Sequence, residues 1–251
     1  MNNEPWQAIF DKYKIHQHNF DKSPYILTAQ SIKEATHHFT STNQREVRVL
    51  CKQDTRADRP NVFVENGLFI LPIKNGIYNI IKGEGYVDIP EVTSVAQIYS
   101  SKLDFKLETS LIGNSEMQHL DFAYASSLIR TFMQDDSLLL TIRGRKYTPM
   151  FEFYVGNQLI CTESVQTEID AGYEGRNQVA LVEAKNAQTK NTIIRQLYYP
   201  FRQWQQHVSK KVNMLFFEKQ KDFYSIWQFS FTNPMNYNSI ELVKSAKFQI
   251  K

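Results

Sequence analysis

Apolar residues at the start of the chain recur at the spacing of a helix. Trp6, Ile9, Phe10 and Tyr13 repeat every three to four residues, which predicts an amphipathic helix. Thr28 begins a run of capping residues that is followed by more apolar positions at helical spacing, which predicts a second helix. The first 40 residues are therefore expected to be mainly helical.

After these helices the pattern changes to that of strands. Apolar and polar residues alternate over residues 47–51, which predicts a strand. Asn75-Gly76 then separates two apolar runs and predicts a β-hairpin, because a type I′ turn needs positive φ at both central residues. Helices followed by a hairpin suit a winged-helix-like module, so residues 1–100 are predicted to form an N-terminal α+β domain.

Residues 101–251 are predicted to form a second domain, in which helices and strands alternate. Ser115 and Gln118 are capping residues for a helix over about 115–132, and a second amphipathic helix is predicted over 192–208. This order of helix, strands, helix and strand predicts an α/β fold with a mixed central sheet flanked by helices. Strands are predicted over residues 138–143, 150–155, 159–170, 179–185, 210–218, 223–231 and 240–250.

The composition is that of an ordinary globular chain, with 42% hydrophobic and 22% charged residues. Only two cysteines are present, Cys51 and Cys161, which argues against a disulfide framework and a cysteine-rich zinc site. The N-terminus lacks the apolar core of a signal peptide and no apolar run reaches the length of a membrane span, so a cytoplasmic location is expected. The net charge of +3 neither favours nor excludes a nucleic-acid partner.

Polar residues at the ends of two successive strands stand out within residues 166–206. Alternation places Glu168 and Asp170 on one face of the incoming strand, and Glu183 and Lys185 on one face of the next. The second strand is apolar on both faces until its last residues, as in a buried central strand. A carboxylate and an amine there are costly unless they are paired or bind a metal, so this position predicts a functional site.

The residue types suit a magnesium site. Mg²⁺ prefers one or two carboxylates together with water and substrate phosphate oxygens, and Asp170 and Glu183 can supply the carboxylates. Lys185 could orient or deprotonate the attacking water and stabilise charge on a phosphate. A purely structural ion pair is the alternative. A second acid-x-Lys sequence, Asp104 to Lys106, lies on a predicted half-exposed strand and is interpreted as a solvated face.

These residues resemble a known group of enzymes. Ile169-Asp170, then VALVEAK and an amphipathic helix, resemble the PD-(D/E)XK nuclease superfamily, although Ile169 stands where that motif often has proline. More narrowly, ENGLFILPI, GNSEMQHLDFAYA, LTIRGRKYTP and IIRQLYYPFRQW resemble bacterial type II restriction endonucleases. The resemblance implies a restriction-endonuclease-like core and hydrolysis of DNA with Mg²⁺, for which Mn²⁺ can substitute. It further implies that Asp170 and Glu183 are metal ligands and that Lys185 is the catalytic lysine.

Several other residues are candidates for the same site. Related nucleases often carry an acid like Glu116 near the metal, although a glutamate in a first helical turn also simply favours the helix dipole. Glu168 is a candidate metal neighbour or a surface pair, and Gln196 is a candidate site residue or a solvated helix position. Five basic residues are candidates for contact with DNA phosphates, with plain surface charge as the alternative: Arg143, Arg145, Lys146, Arg195 and Arg202.

The leading hypothesis is a type II restriction endonuclease that cuts double-stranded DNA at a specific sequence, with residues 1–100 recognising the DNA. A palindromic target implies a homodimer, and a cognate DNA methyltransferase is the expected functional partner. Two alternatives stay open. One is a structure-specific DNA repair nuclease, and the other is a non-catalytic winged-helix DNA-binding protein that needs no metal.

Overall fold

A computed structural model describes residues 2–251, apart from the side chain of Leu111. Its helices are α1 (Asn3–Tyr13), α2 (Ala29–Thr36), α3 (Thr42–Arg45), α4 (Val47–Leu50), α5 (Asn61–Glu65), α6 (Glu116–Ala125), α7 (Leu128–Met133) and α8 (Arg195–Gln205). Its strands are β1 (Tyr25–Thr28), β2 (Leu68–Lys74), β3 (Ile77–Lys82), β4 (Tyr86–Asp88), β5 (Gln97–Tyr99), β6 (Leu139–Tyr147), β7 (Phe151–Val155), β8 (Gln158–Thr162), β9 (Gln166–Glu174), β10 (Gln178–Lys185), β11 (Asn191–Ile193), β12 (Lys211–Gln220), β13 (Phe223–Phe231) and β14 (Ile240–Ile250).

The first helix packs as its apolar spacing predicts. Trp6 and Phe10 are buried, and the ring of Trp6 meets that of Phe63 edge to face with centroids 4.7 Å apart. The indole of Trp6 donates a hydrogen bond of 3.1 Å to the carbonyl of Leu50, which satisfies its polar atom inside the core. Helices α1 and α2 confirm the prediction for the first 40 residues, although the short strand β1 was missed between them.

The predicted hairpin is confirmed, and it belongs to a small sheet. Strands β2 and β3 pair in antiparallel fashion around the turn at Gly76, and β1 adds to β3. Of the two central residues only Gly76 has a positive φ, of +74°, so the turn is not the predicted type I′. The predicted strand over residues 47–51 is wrong, because this segment forms α4. Val47 and Leu50 are buried three positions apart, so the segment buries a helical face rather than the alternate residues of a strand.

A seven-stranded mixed sheet dominates the second half of the chain. Its strand order is β5-β14-β13-β12-β10-β9-β6, with β10 parallel to β12 and β14 parallel to β5. Parallel neighbours need a crossover connection, and α8 provides it between β10 and β12. Helices α6 and α7 cover one face of the sheet and α8 the other. The predicted α/β class, with a mixed central sheet flanked by helices, is therefore confirmed.

Two predicted elements are divided by residues with positive φ. Ser127 has a φ of +64° and separates α6 from α7, where one helix was predicted over 115–132. Ser164 has a φ of +54° in the gap between β8 and β9, where one strand was predicted over 159–170. The strand predicted around Asp104 is wrong, because this exposed segment forms bends rather than pairing with a neighbour. Left-handed backbone at a non-glycine residue is not visible in an apolar pattern.

The other predicted strands of the second half are confirmed with small shifts of their ends. The helix predicted over 192–208 begins later, at Arg195, because Asn191–Ile193 pairs with β4. No helix within residues 2–251 combines the length and the apolar character that a membrane crossing requires.

The crowded backbone at Gly172 predicts how strongly the central sheet depends on close packing. A Cβ atom there would lie 2.7 Å from the Cβ of Ile142 and 3.0 Å from a methyl group of Leu181. We expect Gly172→Ala to lower the free energy of unfolding by roughly 1–3 kcal/mol, because these neighbours must be displaced. Denaturant unfolding measures this. Thr141→Ala, at an exposed position of the edge strand β6, is the control. An equal effect of both changes would contradict the expectation.

Candidate active site

Pairing between β9 and β10 brings two acidic residues together. The register places Val182 opposite Ala171, and its continuation places Glu183 opposite Asp170. Oδ2 of Asp170 accepts a hydrogen bond of 2.7 Å from the backbone N–H of Ala184. The alternation predicted from the sequence therefore brings the two carboxylates together near the end of β10, although Asp170 lies in the middle of β9 and not at the predicted strand end.

Glu183 and Lys185 form a nearly buried ion pair at the end of β10. Nζ of Lys185 lies 2.5 Å from Oε1 of Glu183, and the glutamate side chain is only 11% exposed. Burial raises the pKa of Glu183 to about 7, and the amine of Lys185 only partly offsets this. Burial acts most strongly, to lower the pKa of Lys185, but the carboxylates of Glu183, Glu116 and Asp170 together outweigh it, so the net direction is upward.

The first turn of α6 contributes another carboxylate to this cluster. Oε1 of Glu116 accepts a hydrogen bond of 3.2 Å from the backbone N–H of Asn186, the residue that follows the strand. Burial raises the pKa of Asp170, and the charges of Glu116 and Glu168 add to that rise. Glu116 therefore interacts with the cluster, whatever it contributes to the helix dipole.

All of these groups line one cleft of about 710 Å³. The sequence-predicted residues that line it are Glu116, Glu168, Asp170, Glu183, Lys185, Arg195 and Gln196. Residues from the N-terminal helices and hairpin line it as well, and sequence reasoning missed them: Arg48, Lys52, Asp54, Lys74 and Tyr78 among others. No local motif marks these residues, because they reach the cleft only through packing of distant parts of the chain.

The start of α8 connects the N-terminal elements to the cleft. The backbone N–H of Ile193 donates to the carbonyl of Asp54 at 2.7 Å, and the guanidinium of Arg195 lies 3.9 Å from the carboxylate of Asp54. Gln196 accepts a hydrogen bond of 2.7 Å from the hydroxyl of Thr192. Arg195 and Gln196 are thus held in the cleft by α8 and by its contacts with residues near Asp54.

The structure separates the other predicted basic residues from the cleft lining. Arg143, Arg145 and Lys146 lie on β6, at the edge of the large sheet, where Arg145 pairs with Glu168 at 3.3 Å. Arg143 pairs with Asp121. These three residues stay candidates for phosphate contact at the rim.

The structure contradicts the prediction that Arg202 contacts phosphate. It is 8% exposed, and its guanidinium donates to the hydroxyl of Tyr198 at 2.9 Å and to the carbonyls of Glu152 and Pro234 at 3.0 and 2.5 Å. It also lies over the ring of Phe151. Because Arg202 is buried and its Nη1 is hydrogen-bonded inside the core, it stabilises the fold, and the prediction that it contacts phosphate is wrong.

The donor set fits Mg²⁺ or Mn²⁺. Asp170 uses one oxygen for Ala184 and Glu183 uses one for Lys185, and within residues 2–251 no hydrogen bond engages the second oxygen of either carboxylate. No group of three or more His, Cys, Asp or Glu side chains in this part of the chain converges as a metal site. Two carboxylates suffice for Mg²⁺ when water and substrate oxygens complete its shell.

Comparison with known proteins identifies the family. The chain belongs to the family described as domain of unknown function DUF6997, whose model matches residues 81–249. A second family, described as domain of unknown function DUF6996, matches residues 3–80. The two matches meet inside β3. No curated protein and no solved structure matches the chain.

The raised pKa of Glu183 predicts a pH-dependent stability of the metal-free protein. In the folded chain the carboxyl of Glu183 keeps its proton up to about pH 7, whereas its ordinary pKa is 4.5. The contribution of this group to the free energy of unfolding is therefore fully present below pH 4.5 and is lost as the pH rises through 7. Glu183→Gln keeps a neutral side chain at both pH values. Its free energy of unfolding should therefore fall by up to about 3 kcal/mol less than that of the wild type. Denaturant unfolding in a chelator at pH 5 and 7.5 measures the difference.

The matched control is Glu168→Gln, which removes an exposed carboxylate from the neighbouring strand. Glu183→Gln leaves Lys185 beside a neutral side chain at both pH values, so its own offset in stability is constant and the change between the two pH values is the quantity to compare. An identical pH dependence in the wild type and Glu183→Gln would contradict the prediction.

Proposed function

We propose that the protein is a Mg²⁺-dependent endonuclease that hydrolyses phosphodiester bonds of double-stranded DNA, of the type II restriction kind. The observation that carries the proposal is the meeting of Asp170, Glu183 and Lys185 near the end of β10 and beside the middle of β9, inside a cleft. The order α6, β6, β9, β10, α8, β12 supports it as well. Antiparallel strands followed by a helix and a parallel strand are what the resemblance to the PD-(D/E)XK superfamily implies.

Each residue of the trio has a separate role in this proposal. Asp170 and Glu183 would hold the divalent ion. Such an ion would supply Lewis-acid chemistry, with a lowered pKa of bound water and stabilisation of charge on the phosphate. The amine of Lys185 orients the attacking water and provides positive charge beside the phosphate, where negative charge grows in the transition state. Glu116 and Gln196 border the same space and position water or substrate.

The wider assignment follows from the restriction hypothesis. The helices α1 to α5 and their small sheet provide a recognition module beside the cleft, and a palindromic target implies a homodimer. A cognate DNA methyltransferase and a cytoplasmic location belong to the same proposal. A repair nuclease would use the same trio but would cut branched or damaged DNA instead of giving fixed fragments.

Substitution in the trio tests catalysis directly. With unmethylated plasmid DNA and Mg²⁺, the wild type is expected to give discrete fragments. Lys185→Ala and Asp170→Ala should each reduce the cutting rate by roughly 10²-fold or more, because they remove charge stabilisation in the transition state. Binding of the same DNA should persist, more surely for Lys185→Ala. Gel electrophoresis and a binding assay measure the two effects separately.

The chain offers a matched control in its second acid-x-Lys sequence. Asp104→Ala and Lys106→Ala change the same residue types at exposed positions away from the cleft, and they should leave cutting unchanged. Absence of fragments over many DNA substrates would count against the restriction hypothesis. Sequence-specific binding that ignores both metal and Lys185 would favour the winged-helix alternative.

Metal binding can be tested without any cleavage assay. Mg²⁺ or Mn²⁺ that binds only the folded chain stabilises it, by about 2.7 kcal/mol at a hundred times the dissociation constant. We therefore expect the melting temperature of the wild type to rise with added metal and that of Asp170→Asn or Glu183→Gln to stay constant. Asp104→Asn is the control and should respond like the wild type. An equal rise in all four proteins would place the metal elsewhere.

A further inference from the structure

Three cations from the N-terminal part of the chain line the same cleft as the carboxylates. Arg48 lies in α4, Lys52 follows that helix, and Lys74 ends β2 beside the hairpin turn. All three are exposed. We call them the basic wall. The basic wall thus comes from two separate elements that border the cleft.

Hydrogen bonds hold the basic wall against the second half of the chain. The backbone N–H of Arg56 donates to the side-chain carbonyl of Asn191 at 2.7 Å, just after the segment that carries Lys52. The hydroxyl of Tyr199 donates to the carbonyl of Pro72 at 2.9 Å, just before Lys74. Its charges are therefore positioned relative to α8 and the trio, rather than on a freely moving module.

The present partners of the basic wall hold it only weakly. Lys52 lies 3.6 Å from Asp54 with 72% of its side chain exposed, and Lys74 lies 3.5 Å from Glu163 with both side chains half exposed. Within residues 2–251, Arg48 has no ion pair. Exposed ion pairs contribute about 0–1 kcal/mol, so an incoming anion can replace these partners at little cost.

The sheet side of the cleft carries carboxylates, whose charge is opposite to that of the basic wall. Glu168, Asp170 and Glu183 would repel a polyanion from the trio, and the wall can offset that repulsion. Exposed cations from two elements of the cleft suit the repeated phosphates of a nucleic-acid backbone, which is the substrate of the proposed function.

We propose that Arg48, Lys52 and Lys74 bind backbone phosphates of duplex DNA next to the bond that is cut. This inference rests on the proposed function and adds a phosphate-binding site supplied by the N-terminal part of the chain. Each phosphate contact contributes to affinity through release of counterions, without reading the sequence. Losing the basic wall should therefore weaken binding to all duplexes alike.

The test is the salt dependence of duplex binding by a variant with Arg48→Ala, Lys52→Ala and Lys74→Ala. Fluorescence anisotropy with a labelled DNA duplex, in a chelator that prevents cutting, gives the dissociation constant over a range of salt concentrations. Removal of three contacts should reduce the slope of log affinity against log salt by about 3. The same loss should appear with duplexes of unrelated sequence.

Two further variants keep the test specific. Lys22→Ala, Lys33→Ala and Arg45→Ala together remove the same charge from exposed positions of the same part of the chain that do not line the cleft, and should leave the slope unchanged. Exchanging arginine and lysine at the three positions of the basic wall should preserve most of the slope. Melting temperatures equal to the wild type verify that the variants are folded.

The outcomes separate this inference from the proposed function. If the wild type cuts DNA and the basic-wall variant keeps the full salt slope, the inference is overturned and the proposed function stands. Equal losses of salt slope in the basic-wall and control variants would show that the effect depends only on net charge. That outcome would also overturn the inference. If the wild type neither cuts nor binds duplex DNA, both fail together.

Discussion

The buried carboxylate of Glu183 is the constraint on which the arrangement of this cleft depends. It lies two residues before the end of β10, after a run that is apolar on both faces, and an isolated carboxylate in such a place would cost several kcal/mol. Lys185, two residues further on the same face, offsets part of that cost. The pair leaves the second oxygen of Glu183 free, so one group both satisfies the fold and stays open to a cation.

The crossover from β10 to β12 determines what surrounds this pair. The two strands are parallel, so the chain must travel back along the sheet, and it does so through β11 and α8. The start of α8 thereby comes near the end of β10, where Arg195 and Gln196 line the cleft. The remainder of α8 turns inward, and Arg202 lies among carbonyl oxygens in the core. One helix thus contributes to the cleft at its beginning and to the core at its end.

What the sequence allowed one to predict were features with local causes. The apolar strand ending in Glu183 and Lys185, and the hairpin at Asn75-Gly76, each have a signal within about ten residues. The short segment containing Val47 could be interpreted with a period of two or of three to four, and only packing against the N-terminal core decides for the helix. An amphipathic helix likewise cannot tell which arginine will find carbonyl partners, so Arg202 was assigned to the surface.

The basic wall lay beyond sequence reasoning for a related reason, and this reason bears on how the chain is built. Arg48, Lys52 and Lys74 have no pattern of their own, since the carboxylates on the sheet side of the same cleft lie more than ninety residues further along the chain. Under the proposed function, a cleft with carboxylates on its sheet side alone would repel the DNA phosphate. The basic wall on the N-terminal elements would offset that repulsion, so both parts of the chain would contribute to phosphate binding. The hydrogen bond that joins Asn191 to the N-terminal segment therefore helps to hold the basic wall beside the carboxylates of the second half of the chain.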